Sequence, residues 1–244
     1  MRKSKVIVVM PAYNAEKTIE LTYNSIPKDS YDEIIVGDDS SSDRTVEIAE
    51  SLGLDVLKTP HNMGYGSNQK MLYREAIRRE ADIIVMVHPD YQYDPRLVPY
   101  LVGLLEEDFA DVMLGTRIRS RKEAIEGGMP LYKYLGNRFL TFIENVITGL
   151  NLTEWHTGMR AYKREVLEGI NFEKNSDGFL FDTQVLFQVV AKGYRIGEVP
   201  CPTKYFPEAS STDLKESIKY GIGTIFVCFQ YILWRMGIGI EIFK

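Results

Sequence analysis

Two cysteines, Cys201 and Cys228, are too few in 244 residues for a disulfide framework, which points to a reducing compartment. Long hydrophobic runs are also missing. Val6–Met10 stops at Pro11, short of the apolar core of a secretion signal. Tyr220–Trp234 is uncharged for fifteen residues before Arg235 interrupts it, fewer than the roughly 18–20 needed to cross a bilayer. Positive charge is not in excess: 29 Lys and Arg stand against 34 Asp and Glu, a net charge of −5, so no nucleic-acid partner is expected. Neither internal repeats nor low-complexity linkers occur. The first apolar run ends in Pro11-Ala12-Tyr13-Asn14, which excludes a dinucleotide-binding fingerprint or a Walker A loop there. What remains is an ordinary globular composition, 45% hydrophobic and 26% charged, at the length of one large domain.

Charge and pattern both change along the chain. Residues 1–115 hold 12 Lys and Arg against 20 Asp and Glu, whereas 116–244 hold 17 against 14. An acidic first half suits a metal and a basic second half suits phosphate, although solvated surface explains the charges equally well. Short runs rich in Val and Ile, at Val6–Met10, Glu33–Val36, Val56–Leu57, Ile83–Val87 and Val112–Leu114, read as buried parallel strands. Between them Ala15–Ile26, Asp43–Leu52, Gly66–Glu80 and Pro95–Glu106 have helical spacing, with Asp43 and Asp94 as N-caps and Pro95 at a first helical position. The alternation predicts an α/β fold with a mostly parallel central sheet flanked by helices. Later come a helix over Leu131–Gly149, an extended Gly158–Tyr162, a helix over Phe181–Lys192, a strand over Tyr194–Val199 and a terminal helix. A core, interfacial or dimer helix would each fit that last segment. Its aromatics, with Lys215, Lys219 and Arg235 beside them, suit an interface.

In open parallel sheets, ligands bind beyond the carboxyl ends of the strands. After the second strand come Asp38 and Asp39, adjacent carboxylates whose repulsion is reasonable where they accept hydrogen bonds from a base or ribose, or hold a cation. After the fourth come His88, Asp90 and Gln92, two apart, which share a face in extended backbone and offer ligands for Mg²⁺ or Mn²⁺. Gly64-Tyr65-Gly66 reads as a turn that needs positive φ.

Together PAYNAEKTI, IIVGDDSSSDRT, NMGYG and VMVHPDYQYDP resemble the family-2 glycosyltransferases of the GT-A fold, and most of all the dolichyl-phosphate mannose synthase branch that glycosylates polyprenyl phosphates. The resemblance covers about residues 5–215 and is strongest over 6–117. It implies that Pro11, Ala12, Tyr13, Asn14, Asp38, Asp39 and Gly64 serve the donor nucleotide, that Asp90 meets the metal and diphosphate, and that Gln92 is a further ligand. Gly115-Thr116-Arg117 matches an element whose arginine meets phosphate, and Thr157–Tyr162 a stretch near the sugar. His88 replaces the first aspartate of the family's metal motif. The branch's later arginine is missing from Phe206–Ser211, where Lys204 is the nearest cation.

The expected activity is an inverting transfer from a GDP- or UDP-linked sugar to a polyprenyl phosphate, with Mg²⁺ or Mn²⁺ as cofactor. A phosphate acceptor is already anionic and needs cations and orientation, for which Arg117, Arg121, Arg138 and Lys204 are candidates. A hydroxyl acceptor needs a base; Asp182 is the candidate, with a helix-terminal carboxylate as its other reading. Transfer to a saccharide and non-catalytic nucleotide-sugar binding are the rival functions. The expected division is a transferase domain over 1–216, with a nucleotide-sugar half at 1–117 and an acceptor half at 118–216, then an apolar amphipathic or interfacial helix over 217–244. The expected location is cytoplasmic, including the cytoplasmic face of a membrane.

Overall fold

The apolar runs form strands because β-branched side chains suit a pleated surface buried on both sides. They are β1 (Val6–Ala12), β2 (Glu33–Asp38), β3 (Asp55–Lys58), β4 (Ile83–Met86), β5 (Val112–Thr116), β6 (Arg160–Lys163) and β7 (Ile196–Pro200). The computed structural model describes residues 3–202 and 214–244, so Lys204 and Phe206–Ser211 lie outside the described residues. Among the described residues the strands make one sheet in the order β3-β2-β1-β4-β6-β5-β7. Val8 of β1 sits between Ile34 of β2 and Val85 of β4, both parallel to it. β6 runs antiparallel between β4 and β5, and β5 pairs in parallel with β7. The sheet is therefore mostly parallel, with one reversed strand that the alternation of elements did not reveal.

Helices cover both faces: α1 (Ile19–Ser25), α2 (Thr45–Ser51), α3 (Tyr65–Arg78), α4 (Val98–Glu106), α5 (Arg121–Glu126), α6 (Leu131–Thr148), α7 (Arg164–Gly169), α8 (Phe181–Ala191) and α9 (Leu214–Arg235). Ile7, Val9, Ile84 and Met86 face Leu72 and Tyr73 of α3 and Val185 of α8 in one core. Val8, Met10, Val85 and Val87 face Ile19 of α1 and Leu101 of α4 in the other. Each such side chain contributes about 1.5–3 kcal/mol by leaving water.

α1 starts at Ile19 rather than Ala15: residues 16–18 form a turn, and the Ala15 N–H donates to Thr45 Oγ1 at 2.7 Å. Asp43 stands one residue before the N-cap of α2, Arg44, and accepts from the N–H groups of both Thr45 and Glu16 at 3.0 Å. It fastens two loops as well as a helix start. Asp94 caps the turn that leads into α4, accepting from the Arg96 N–H, with Pro95 behind it. Gly149 ends α6 in the left-handed region, at φ 79°.

α9 packs against α6 and α8, and its Val227, Cys228 and Tyr231 are buried in the same core as α8. No helix among the described residues is long and apolar enough to cross a membrane. The exposed side of α6 nevertheless carries Leu131, Leu135, Phe139, Phe142 and Val146, and that of α9 carries Ile218, Ile222, Phe226 and Phe229.

Ion pairs gather at the edge of the sheet where the parallel strands begin. Arg79 reaches Glu33, Glu75 and Asp55, while Asp111 holds Lys163 and Arg195. The opposite edge is left to a cleft.

Candidate active site

The cleft, of about 660 Å³, opens beyond the carboxyl ends of β1, β2 and β4 and is walled across from them by α6, α8 and α9. Five non-glycine residues have positive φ among those described; Asn14, Ser40 and Tyr91 follow these three strands. Backbone in that region costs free energy and concentrates at binding sites.

Pro11, Ala12, Tyr13 and Asn14 line the cleft, and Tyr13 is largely exposed in it. Asn14 is tied to the next loop, its Oδ1 accepting from the Ser42 N–H at 2.9 Å. Asp39 also lines the cleft and organises its rim by accepting from Thr59 Oγ1, the Met63 N–H and the Gly64 N–H at 2.8–3.0 Å. Gly64 has φ 97°, the turn that the sequence required, and a Cβ there would lie 2.6 Å from the Asp177 carbonyl oxygen. Asp38 is not part of the lining. It is buried, with Oδ2 accepting from the Ser41 N–H at 3.0 Å and Oδ1 without a partner.

His88, Asp90 and Gln92 all line the cleft. They converge for a reason other than the expected extended backbone: the chain turns after His88, Tyr91 adopts φ 57°, and Asp90 Oδ1 accepts from the Gln92 N–H at 3.0 Å. The imidazole of His88 lies between the rings of Tyr65 and Tyr93, with centroids at 5.5 and 5.6 Å. Burial lowers its pKa, against the opposing charges of Asp90 and Asp182. No three His, Cys, Asp or Glu residues group as a metal cage among those described. The donors fit a cation that takes one carboxylate, an amide oxygen and an imidazole from the protein and completes its shell with ligand phosphates, as Mg²⁺ and Mn²⁺ do.

Arg117 lines the cleft but is anchored behind it. Its Nε donates to Oε1 of Glu154 at 2.8 Å, its backbone N–H to Oε2 at 2.8 Å, and its guanidinium also reaches the His156 carbonyl. Glu154 is fully buried; burial would raise its pKa, but the Arg117 charge and hydrogen bonds lower it overall. Of the other expected acceptor cations, Arg121 and Arg138 lie outside the lining, and Arg138 donates to the Thr153 carbonyl at 2.6 Å. Lys204 is outside the described residues. Lys133 of α6 lines the cleft instead.

Asp182 stands in the first turn of α8 and is engaged at both oxygens. Its Oδ2 accepts from the Tyr65 hydroxyl at 2.9 Å and its Oδ1 from Gln69 Nε2 at 3.0 Å, with the Arg160 guanidinium 3.7 Å away. Arg160 is wholly buried and also donates to the carbonyls of Thr157 and Asp182. Burial works to lower its pKa, yet Asp182 raises it overall. The Thr157–Tyr162 stretch therefore turns its arginine inward as a brace.

Sequence reasoning missed Tyr65, Gln69, Glu154 and Tyr220. Only Tyr65 had a signal, its place between two glycines at a helix start; the others meet the site through contacts far apart in sequence. Tyr220 of α9 lines the cleft and joins His156 Nδ1 at 2.8 Å and Thr183 Oγ1 at 2.7 Å. His156 in turn lies 3.1 Å from the buried Glu144.

The family model for glycosyl transferase family 2 matches residues 7–170. The UDP-N-acetylglucosamine–dolichyl-phosphate N-acetylglucosaminyltransferase of Methanococcus voltae is 27% identical over 256 residues, covering 97% of this chain and 98% of that one. The dolichyl-phosphate hexose transferase of Haloferax volcanii is 29% identical over 220 residues, covering 86% and 91%. A crystal structure of glucosyl-3-phosphoglycerate synthase from Mycobacterium tuberculosis with uridine diphosphate superposes with a TM-score of 0.71 at 24% identity, over 98% of this chain and 82% of that one, a likeness of fold.

Proposed function

The chain belongs to glycosyl transferase family 2 and is a glycosyltransferase, and from that premise we propose that it moves a sugar from a nucleoside-diphosphate donor to a polyprenyl phosphate, with inversion at the sugar carbon. The observation that carries this reading is the joining of Asp39, His88, Asp90, Gln92 and Arg117 in one cleft at the carboxyl ends of parallel strands. The names of the Methanococcus voltae and Haloferax volcanii relatives, both dolichyl-phosphate transferases, support the acceptor class.

In this reading Pro11–Asn14 and Asp39 hold the nucleoside. The Asp39 oxygens retain lone pairs beyond those used at the rim. Asp90, Gln92 and His88 hold the cation. A bound Mg²⁺ or Mn²⁺ supplies the positive charge that neutralises a departing diphosphate. Arg117 orients the diphosphate from the cleft wall, its own geometry fixed by Glu154. An acceptor phosphate is largely ionised at neutral pH, since its second pKa is about 6, so these residues need only align it and exclude water. Lys133 stands on the side of the cleft where that acceptor enters.

The apolar sides of α6 and α9 are proposed to rest on the membrane that carries the acceptor. Both helices also line the cleft, through Gly136, Leu140 and Tyr220 among others. Two helices that pack together and each expose several large apolar side chains suit a membrane surface. Co-sedimentation with phospholipid vesicles should be lost in a Phe142→Asp, Phe226→Asp double variant. Undiminished co-sedimentation of that variant removes the membrane contact from the account.

The function itself is tested with radiolabelled UDP- and GDP-sugars, a short-chain polyprenyl phosphate and Mn²⁺. The expected result is labelled lipid from the wild-type protein and none from Asp90→Ala. Transfer to saccharides alone would replace the acceptor class. Donor binding with neither transfer nor hydrolysis would replace catalysis with binding.

A further inference from the structure

Asp182 was the sequence's candidate for a general base, yet its surroundings fit another task. Both of its oxygens already accept hydrogen bonds, and the buried Arg160 depends on it for a counter-charge. One of those bonds begins a chain that ends at the cation turn. The Tyr65 hydroxyl lies 2.9 Å from Asp182 Oδ2 and 3.1 Å from His88 Nε2.

We propose that Asp182 is a positioning residue: by accepting the one hydrogen bond that the Tyr65 hydroxyl can donate, it sets His88 with a proton on Nε2 and leaves Nδ1 as the nitrogen with a lone pair. A carboxylate is an acceptor only, so the Tyr65 O–H points to Asp182. The phenolic oxygen can then only accept from the imidazole, and Nε2 must be N–H. For a neutral imidazole beside an ionised Asp182, no other arrangement satisfies both contacts. Packing supports the same ring position: Tyr65 and Tyr93 flank the imidazole, and Gly158 makes room for it, since a Cβ there would lie 2.5 Å from Nε2. The lone pair matters because His88 occupies the place of an aspartate in the resemblance described above. A neutral Nδ1 is the donor that an imidazole offers in place of a carboxylate oxygen. This last step rests on the cation site of the proposed function, whereas the tautomer does not.

The chain has three histidines, His61, His88 and His156, so a long-range proton–nitrogen correlation spectrum of ¹⁵N-labelled protein resolves each ring, with His88→Gln for assignment. The expected spectrum shows His88 as the Nε2–H tautomer in the wild type and a shift toward mixed tautomers in Tyr65→Phe. Tyr65→Phe keeps the ring packing and the Asp182–Arg160 pair, so it remains folded where Asp182→Asn could fail. Finding His88 protonated at Nδ1 alone, or unchanged in Tyr65→Phe, overturns the proposal. Mn²⁺ affinity in the presence of UDP or GDP, followed by electron paramagnetic resonance, reads the consequence. Loss of such an orienting partner typically costs about 10–100-fold in metal affinity, and that loss is expected for Tyr65→Phe. The expected tautomer with no Mn²⁺ binding to either protein would leave the relay standing and refute the cation site instead.

Discussion

Replacing Gly158 by alanine tests how closely the site depends on the place of one imidazole. The new Cβ would lie 2.5 Å from His88 Nε2, 2.9 Å from its Cδ2 and 3.1 Å from the Tyr93 hydroxyl. Ordinary contact begins near 3.4 Å, so the ring must retreat by about 0.9 Å. It has little room, because Tyr65 stacks against it with centroids at 5.5 Å. The backbone at Gly158 is not left-handed, so alanine introduces no φ strain there. Overpacking of this kind costs about 1–3 kcal/mol of stability. A misplacement near 1 Å in a catalytic site costs about 10²-fold in rate, or roughly 2.7 kcal/mol of barrier. Initial rates of sugar transfer at saturating donor and acceptor, measured beside thermal unfolding, read the two effects separately. A double-mutant cycle adds a control: in a His88→Ala background the stability penalty of Gly158→Ala should largely vanish, since the clashing ring is gone. Wild-type rate and stability in the single variant would refute the argument that His88 is held in a functional position.

Other expectations follow from charge. Arg117→Ala leaves the Glu154 carboxylate buried without its partner and should cost about 3–5 kcal/mol, so that loss of transfer comes with a lower melting temperature; an unaltered denaturation curve would show the pair to be dispensable. Stability should fall in acid. Glu75 is held down to about 2, chiefly by its hydrogen bond to Arg78 and also by Arg79, and Asp111 is held low, chiefly by Arg195. Carboxyls with depressed folded-state pKa values stabilise above their unfolded values and lose that contribution as pH falls through the folded ones. Guanidinium denaturation midpoints should therefore drop between about pH 4.5 and 2, and Glu75→Gln should flatten the drop. A midpoint independent of pH in that window would rule out these pairs as contributors.

Much of the donor half was legible because its signals are local. Runs of Val and Ile marked β1, β2, β4 and β5, and the residues just past them proved to be the cleft, as strand ends in a parallel sheet should. Gly64 marked a turn of positive φ, and the structure has it at 97°. The acceptor half was harder. β6 is four residues, Arg160–Lys163, with a charged residue buried in its first position; its extended character was legible over Gly158–Tyr162, but its antiparallel place between β4 and β5 was not. Nothing nearby in sequence announces Glu154 as the partner of Arg117, or Asp182 as that of Arg160. His88, Asp90 and Gln92 all line the cleft, but their spacing suggested extended alternation, whereas the backbone turns at Tyr91 and Asp90 accepts from the Gln92 N–H. Arg121 and Arg138 were drawn to the site by charge alone and lie outside its lining.

The central claim is that the turn at His88–Gln92 holds a cation against a nucleoside diphosphate. Calorimetric titration of the wild-type protein and Asp90→Ala with UDP and with GDP, each with and without Mn²⁺, tests it directly. One nucleotide is expected to bind the wild type far more tightly with Mn²⁺ than without it, and Asp90→Ala, still folded, to lose this dependence. Binding of equal strength with and without the metal in both proteins would contradict it.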